Sequence, residues 1–138
     1  NDAHYIHFLG SFQDVRPILK DCDLGIFPST YVGESFPIFI LECFSEGLPV
    51  VACDIGAIRE MMTSENGEVA GAVISILQDK EFMISKIVDA IKEIITSSKM
   101  YEVAQNIARE RSHYYNFKNL IDKYLHIFYK TRDQFSTV

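Results

Sequence analysis

The chain has 138 residues, 48% hydrophobic and 23% charged, which is enough for one domain with a sizeable core and argues against disorder. A formal net charge of -6 argues against a nucleic-acid partner, whose phosphates need clustered Lys and Arg. It leaves room for a single nucleotide, because a helix N-terminus supplies positive potential locally.

In chain order, residues 5–9 read as a short strand ending at Gly10. Asp14 reads as an N-cap, with Pro17 tolerated in the first turn of a helix running to about Lys20. Residues 24–27 form a second strand, stopped by Pro28 and Ser29, and the polar loop 29–35 leads into a helix over 37–46. Gly47 stands where a left-handed cap belongs, and Pro49 prevents continuation. Val50-Val51-Ala52-Cys53 is apolar throughout, as a parallel strand covered on both faces must be. A loop at Gly56, a short helix over 57–62, a turn at Asn66-Gly67 and a fourth strand over 72–76 follow. The remainder is helical. Ile84, Ile87, Val88, Ile91, Ile94 and Ile95 predict one buried stripe; Met100, Val103, Ala104, Ile107 and Ala108 predict a second; Leu120, Ile121, Tyr124, Leu125 and Phe128 predict a third. Alternating strands and helices with a helical tail give an α/β class with a Rossmann-like parallel sheet, in a single domain over residues 1–138.

Cys22, Cys43 and Cys53 are too widely spaced for a CxxC pair, and each has apolar neighbours, so a reducing compartment fits better than a disulfide framework. No signal peptide is read at the start. The longest apolar stretch, 36–53, is interrupted by Pro37, Glu42, Glu46, Gly47 and Pro49 and is not a membrane span. The cytoplasm is therefore the expected address, with a peripheral membrane face left open. Tyr114, Tyr115 and Phe117 beside Lys118 and Lys123 would suit such a face; an aromatic core stripe with a solvated basic side is the reading preferred. His4, His7, His113 and His126 are scattered and are given no chemistry. Asp21-Cys22-Asp23 has the form of a metal-binding Asp-x-Asp, but with no further clustered ligand it reads as a turn, and no metal site is expected.

In an open parallel sheet, ligands bind beyond the carboxyl ends of the strands. Polar clusters fall there at Ser11, at 29–35 with Glu34, and at Asp54-Ile55-Gly56. The second feeds directly into a helix opening Ser35-Phe36-Pro37-Ile38, whose free N–H groups would hold a phosphate. Glu34 stands at the mouth of that helix, and Glu42 more than one turn inside it, between Leu41 and Cys43-Phe44. An inner carboxylate in apolar company needs a donor pair, and vicinal ribose hydroxyls supply one. Taken singly, Glu42 also reads as a helix-surface carboxylate and Glu34 as a solvated loop residue.

The run Pro28-Ser29, then Glu34-Ser35-Phe36-Pro37-Ile38-Phe39-Ile40-Leu41-Glu42-Cys43, then Gly47-Leu48-Pro49-Val50-Val51-Ala52, resembles the signature of the "group one" retaining GT-B glycosyltransferases. Phe8-Leu9-Gly10, Cys22-Asp23-Leu24 and the region of Tyr124 match further landmarks, so the resemblance extends over nearly the whole chain. The chain departs from the family after its third predicted strand, where Gly56-Ala57-Ile58-Arg59-Glu60 replaces two glycines and a proline.

The resemblance implies the C-terminal, donor-binding half of such an enzyme. The first two strands of that half, its basic pair for the diphosphate and the acceptor domain would then lie before Asn1. It implies Glu34 as the catalytic glutamate beside the donor sugar. Ser35, Phe36, Pro37 and Ile38 would lie against sugar and diphosphate, Glu42 on the ribose, and Gly10 and Ser11 near the nucleobase. The donor would be a nucleotide diphosphate sugar, with no cofactor and no metal, and a hexosyl group would be transferred with retention. The strand over 5–9 is expected to be displaced from the other three, mispaired, or paired through another chain, and the open edges to favour association. Alone, the chain is expected to transfer no sugar and to bind donors at roughly millimolar affinity, about -4 kcal/mol. The competing readings are a non-catalytic nucleotide-binding or regulatory module, and a sugar-nucleotide epimerase on the same fold.

Overall fold

The computed structural model describes residues 5–135. Its elements are α1 (Arg16–Leu19), β1 (Gly25–Phe27), α2 (Ile38–Ser45), β2 (Val50–Cys53), α3 (Ile58–Met62), β3 (Gly71–Ile74), α4 (Lys80–Thr96), α5 (Ser98–Tyr114) and α6 (Phe117–Phe135). The strands form one parallel sheet in the order β1-β2-β3, with Gly25 beside Val50 and Val50 beside Gly71. With helices on both faces this is an α/β, Rossmann-like arrangement.

The composition of β2 follows from its place at the centre. Val50 and Ala52 enter one cluster with Ile40 and Phe44 of α2, Ile58 and Met61 of α3, and Ile107 of α5. Val51 and Cys53 enter another with Met83, Ile87 and Ile94 of α4. Side chains alternate faces along a strand, so one covered on both sides has no position for a polar residue. α2 ends as its sequence requires: Gly47 takes φ +71°, its N–H donates to the Phe44 carbonyl, and the Leu48 N–H donates to that of Cys43, each at 2.9 Å. Burial pushes the Cys43 thiol up to about 12, so it remains a protonated, apolar core group beside Glu42.

α3 is only five residues long, and its carboxyl end is closed by a residue fifty positions away. Arg111 of α5, 4% exposed, donates from Nε to the Met61 carbonyl and from Nη2 to the Glu60 carbonyl, both at 3.0 Å. A buried charge is tolerated when donors and acceptors match in this way. Its guanidinium also lies 4.5 Å and 4.9 Å from the ring centroids of Tyr114 and Tyr115.

Several sequence expectations need correction. Residues 5–9 form no strand; they are exposed, Phe8 at 98%, and pair with no described strand. The segment lies outside the three-stranded sheet, and its backbone groups join no ladder there. Asp14 stands one place before the N-cap, Val15, yet its carboxylate accepts from the Arg16 N–H at 3.1 Å and from its guanidinium at 2.8 Å. Cys22 is exposed, whereas Cys43 and Cys53 are buried.

The stripe on α4 is split. Met83, Ile87 and Ile94 are buried, while Ile84, Val88 and Ile95 face outward, because three strands offer a face too narrow for both rows. The apolar residues of α6 also stay outside the core: Tyr124 is 71% and Phe128 66% exposed. The preferred aromatic core stripe therefore holds only for Tyr115, which is half-buried on the core, and not for Phe117, which is exposed. No helix among the described residues is long and apolar enough to cross a membrane.

Candidate functional site

The parallel order brings the loops after β1 and β2 to the same end of the sheet, and they are joined there. The Ala57 N–H, just past β2, donates to the Ser35 carbonyl at 2.8 Å. Gly56 permits this approach: its φ is +52°, and a Cβ there would stand 2.3 Å from the Glu34 carbonyl oxygen and 2.7 Å from that of Ser35. Any other residue would push the two loops apart. Within the first loop, the Glu34 N–H donates to the Tyr31 carbonyl at 3.0 Å, closing a turn. The backbone of the Glu34 segment is thus held from its own loop and from the next one.

The chain turns into α2 at Pro37, which is buried and extended (φ -69°, ψ 119°), with no side-chain cap. Proline suits this place because its missing N–H would be unsatisfied anyway. The N–H groups of Ser35, Phe36 and Ile38 have no acceptor among the described residues. The Ile38 N–H belongs to the first turn of the helix, and those of Ser35 and Phe36 come just before its N-cap, Pro37, at an exposed mouth that carries the positive end of the helix dipole. Phe36 and Ile38 stand exposed around them.

Both glutamates belong to this surface. Glu34 is half-buried in the loop, and Glu42 half-buried on α2 one turn beyond the exposed Ile38, on a side away from Ile40, Cys43 and Phe44. The apolar company expected of Glu42 is therefore on the other face of its helix. Neither carboxylate has a hydrogen-bond or ion-pair partner among the described residues, so both are free to accept from a ligand. Arg16 on α1 lies within electrostatic reach of Glu46 and Glu42, although its strongest partner is Asp14.

Gly10 and Ser11, expected near the nucleobase, make no hydrogen bond with this segment among the described residues. Both are exposed, and the position where a Cβ on Gly10 would stand is empty to 4 Å. Glu34, Ser35, Phe36, Pro37, Ile38 and Glu42 follow one another along the loop and the first turns of α2. The third polar cluster is also engaged elsewhere: Asp54 is paired with Arg59, whose Nη2 lies 2.5 Å from its carboxylate. Those two residues, with Gly56, Thr63 and Gly67, line an open depression of about 620 Å³ that neither glutamate reaches.

Asp21 and Cys22 form the turn read from sequence, donating to the Ile18 and Leu19 carbonyls. Among the described residues no three Asp, Glu, His or Cys side chains converge on one point; His4 lies outside them. Two features of the site were missed in sequence. One is the contact of Gly56-Ala57 with the Glu34 segment, for which the lone glycine after an apolar strand was the available signal. The other is Tyr115, whose ring meets that of Phe36 edge to face. No local signal announces it.

A family model described as "Glycosyl transferases group 1" matches residues 1–97, which include all three strands and the whole mouth of α2. No curated protein matches the chain.

Proposed function

This chain belongs to the group 1 glycosyl transferases, and on that basis we propose that it holds the nucleotide diphosphate sugar for a retaining hexosyl transfer. The observation that carries this reading is the pairing of three unsatisfied N–H groups at the mouth of α2 with two unpartnered glutamates on the same surface. The amides of Ser35, Phe36 and Ile38 face the negative diphosphate and sugar, where a helix start contributes about 0.3–1 kcal/mol for each charge. Glu42 accepts from the two ribose hydroxyls, and Glu34 stands beside the sugar ring.

In this reading the bond from the anomeric carbon to the phosphate oxygen breaks as the acceptor oxygen bonds to that carbon on the same face. The acceptor proton passes to the departing phosphate oxygen. The protein positions the partners and stabilises the charge that develops, rather than offering a nucleophile and an acid as glycosidases do.

The test is steady-state kinetics of Glu42→Gln in the full-length protein. The ribose is held alike in ground and transition states, so the donor KM should rise while kcat stays close to wild type. A lost charge-assisted hydrogen bond costs about 1.5–3 kcal/mol, and kcat/KM should fall about tenfold to a hundredfold. An unchanged donor KM would remove Glu42 from the site.

A further inference from the structure

The segment bearing the mouth amides is supported from a direction that the donor-site reading does not use. The Phe36 ring meets Tyr115 edge to face, with centroids 5.4 Å apart and planes at 78°. Phe36 is 41% exposed, so its own burial does little to fix its rotamer, and the ring contact supplies what burial does not. Tyr115, at the C-terminal end of α5, is itself anchored: its Oη accepts from Arg111 Nη2 at 2.8 Å, and its ring packs half-buried on the core. Arg111 is fixed in turn on the Glu60 and Met61 carbonyls at the end of α3. The opposite end of α3 follows directly on Ala57, whose N–H binds the Ser35 carbonyl. Ser35 and Phe36 are therefore tied to both ends of one short helix, directly at its start and through Arg111 and Tyr115 at its finish. Arg111 and Tyr115 lie beyond the residues 1–97 matched by the family.

We propose that Tyr115 is a positioning residue for donor binding: seated by Arg111, it holds Phe36 and thereby aims the Ser35 and Phe36 amides at the donor. It touches no substrate and acts only through the Phe36 ring. This proposal rests on the mouth of α2 being the donor site, and its test separates the two. The donor KM, acceptor KM and melting temperature of the full-length protein are measured for Y115L, Y115F, F36L and the double variant Y115L/F36L. Y115L should raise the donor KM about threefold to tenfold, the range of an aromatic pair contact, and leave the acceptor KM unchanged. Y115F keeps the ring but loses the hydrogen bond from Arg111, and its donor KM should fall between those of wild type and Y115L. In the F36L background, Y115L should add nothing to the donor KM, because the residue through which it acts is gone. A purely structural role would lower the melting temperature and the active fraction, neither of which changes KM. If Y115L does not fold, Y115M fills much of the same volume without a ring and carries the same comparison. A wild-type donor KM in the ringless variant, or an equal rise with and without Phe36, overturns the assignment. If Glu42→Gln raises the donor KM while loss of the Tyr115 ring does not, only the role of Tyr115 falls. If the wild-type protein saturates with no sugar nucleotide, the donor-site reading fails and takes this proposal with it.

Discussion

Replacing Glu34 by glutamine should lower kcat of the full-length protein about a hundredfold to a thousandfold, with the donor KM little changed, the size of loss seen when one electrostatic contributor at a reaction centre is removed, about 2.7–4 kcal/mol. Glutamine keeps the shape and hydrogen-bonding reach of the side chain and removes only its charge. The backbone of the segment does not depend on that charge, since it is held by the Tyr31 carbonyl, the Ala57 N–H and the close approach of Gly56. A fall in kcat with the fold intact by circular dichroism therefore reports the carboxylate itself. In the proposed transfer, positive charge would develop on the sugar as the bond to phosphate breaks, and a carboxylate beside it would stabilise that state more than the ground state. Wild-type kcat and donor KM in both Glu34→Gln and Glu42→Gln would make the motif structural, and the non-catalytic nucleotide-binding module would replace the transferase reading.

Phe44→Ala is expected to cost about 3–5 kcal/mol of stability, a large share of the roughly 5–15 kcal/mol available to a domain. Phe44 is fully buried between the sheet and the helices α3 and α5, in the same cluster as Val50, Ala52, Met61 and Ile107. Close packing there leaves a cavity that neighbouring side chains refill only in part. Ile38→Ala, at a 69% exposed position six residues earlier, should stay within about 0.5 kcal/mol of wild type. Urea unfolding followed by circular dichroism checks both: the midpoint of Phe44→Ala should drop at an unchanged slope. A loss under about 1 kcal/mol for Phe44→Ala would mean that α2 is not packed on the sheet as described.

The parts of this structure that could be read in the sequence are those set by local rules. Four apolar residues at 50–53 required a strand covered twice, Gly47 required a left-handed cap, and Ser35-Phe36-Pro37-Ile38 after a polar loop required a helix start. Those elements also place Glu34 and Glu42, which is why most of the candidate site was legible. The readings that failed depended on what lies opposite a segment. Residues 5–9 carry a strand-like pattern, yet pairing is decided by a neighbouring edge that the pattern does not contain. The isoleucines of α4 satisfy a helical period in two adjacent rows, and only the width of the sheet decides which row is covered. The hold of Arg111 on α3 and of Tyr115 on Phe36 spans fifty or more positions, which is beyond any periodicity or spacing rule.

The most direct test of the donor site is amide chemical-shift mapping of residues 1–138 during titration with nucleotide diphosphate sugars to roughly millimolar concentration and beyond. The site described here predicts saturable shifts centred on the Ser35, Phe36 and Ile38 amides and extending to Glu42, weakened in Glu42→Gln. Saturable shifts centred on Arg59, Thr63 and Gly67 with residues 34–42 unmoved, or no shifts at all, would contradict it.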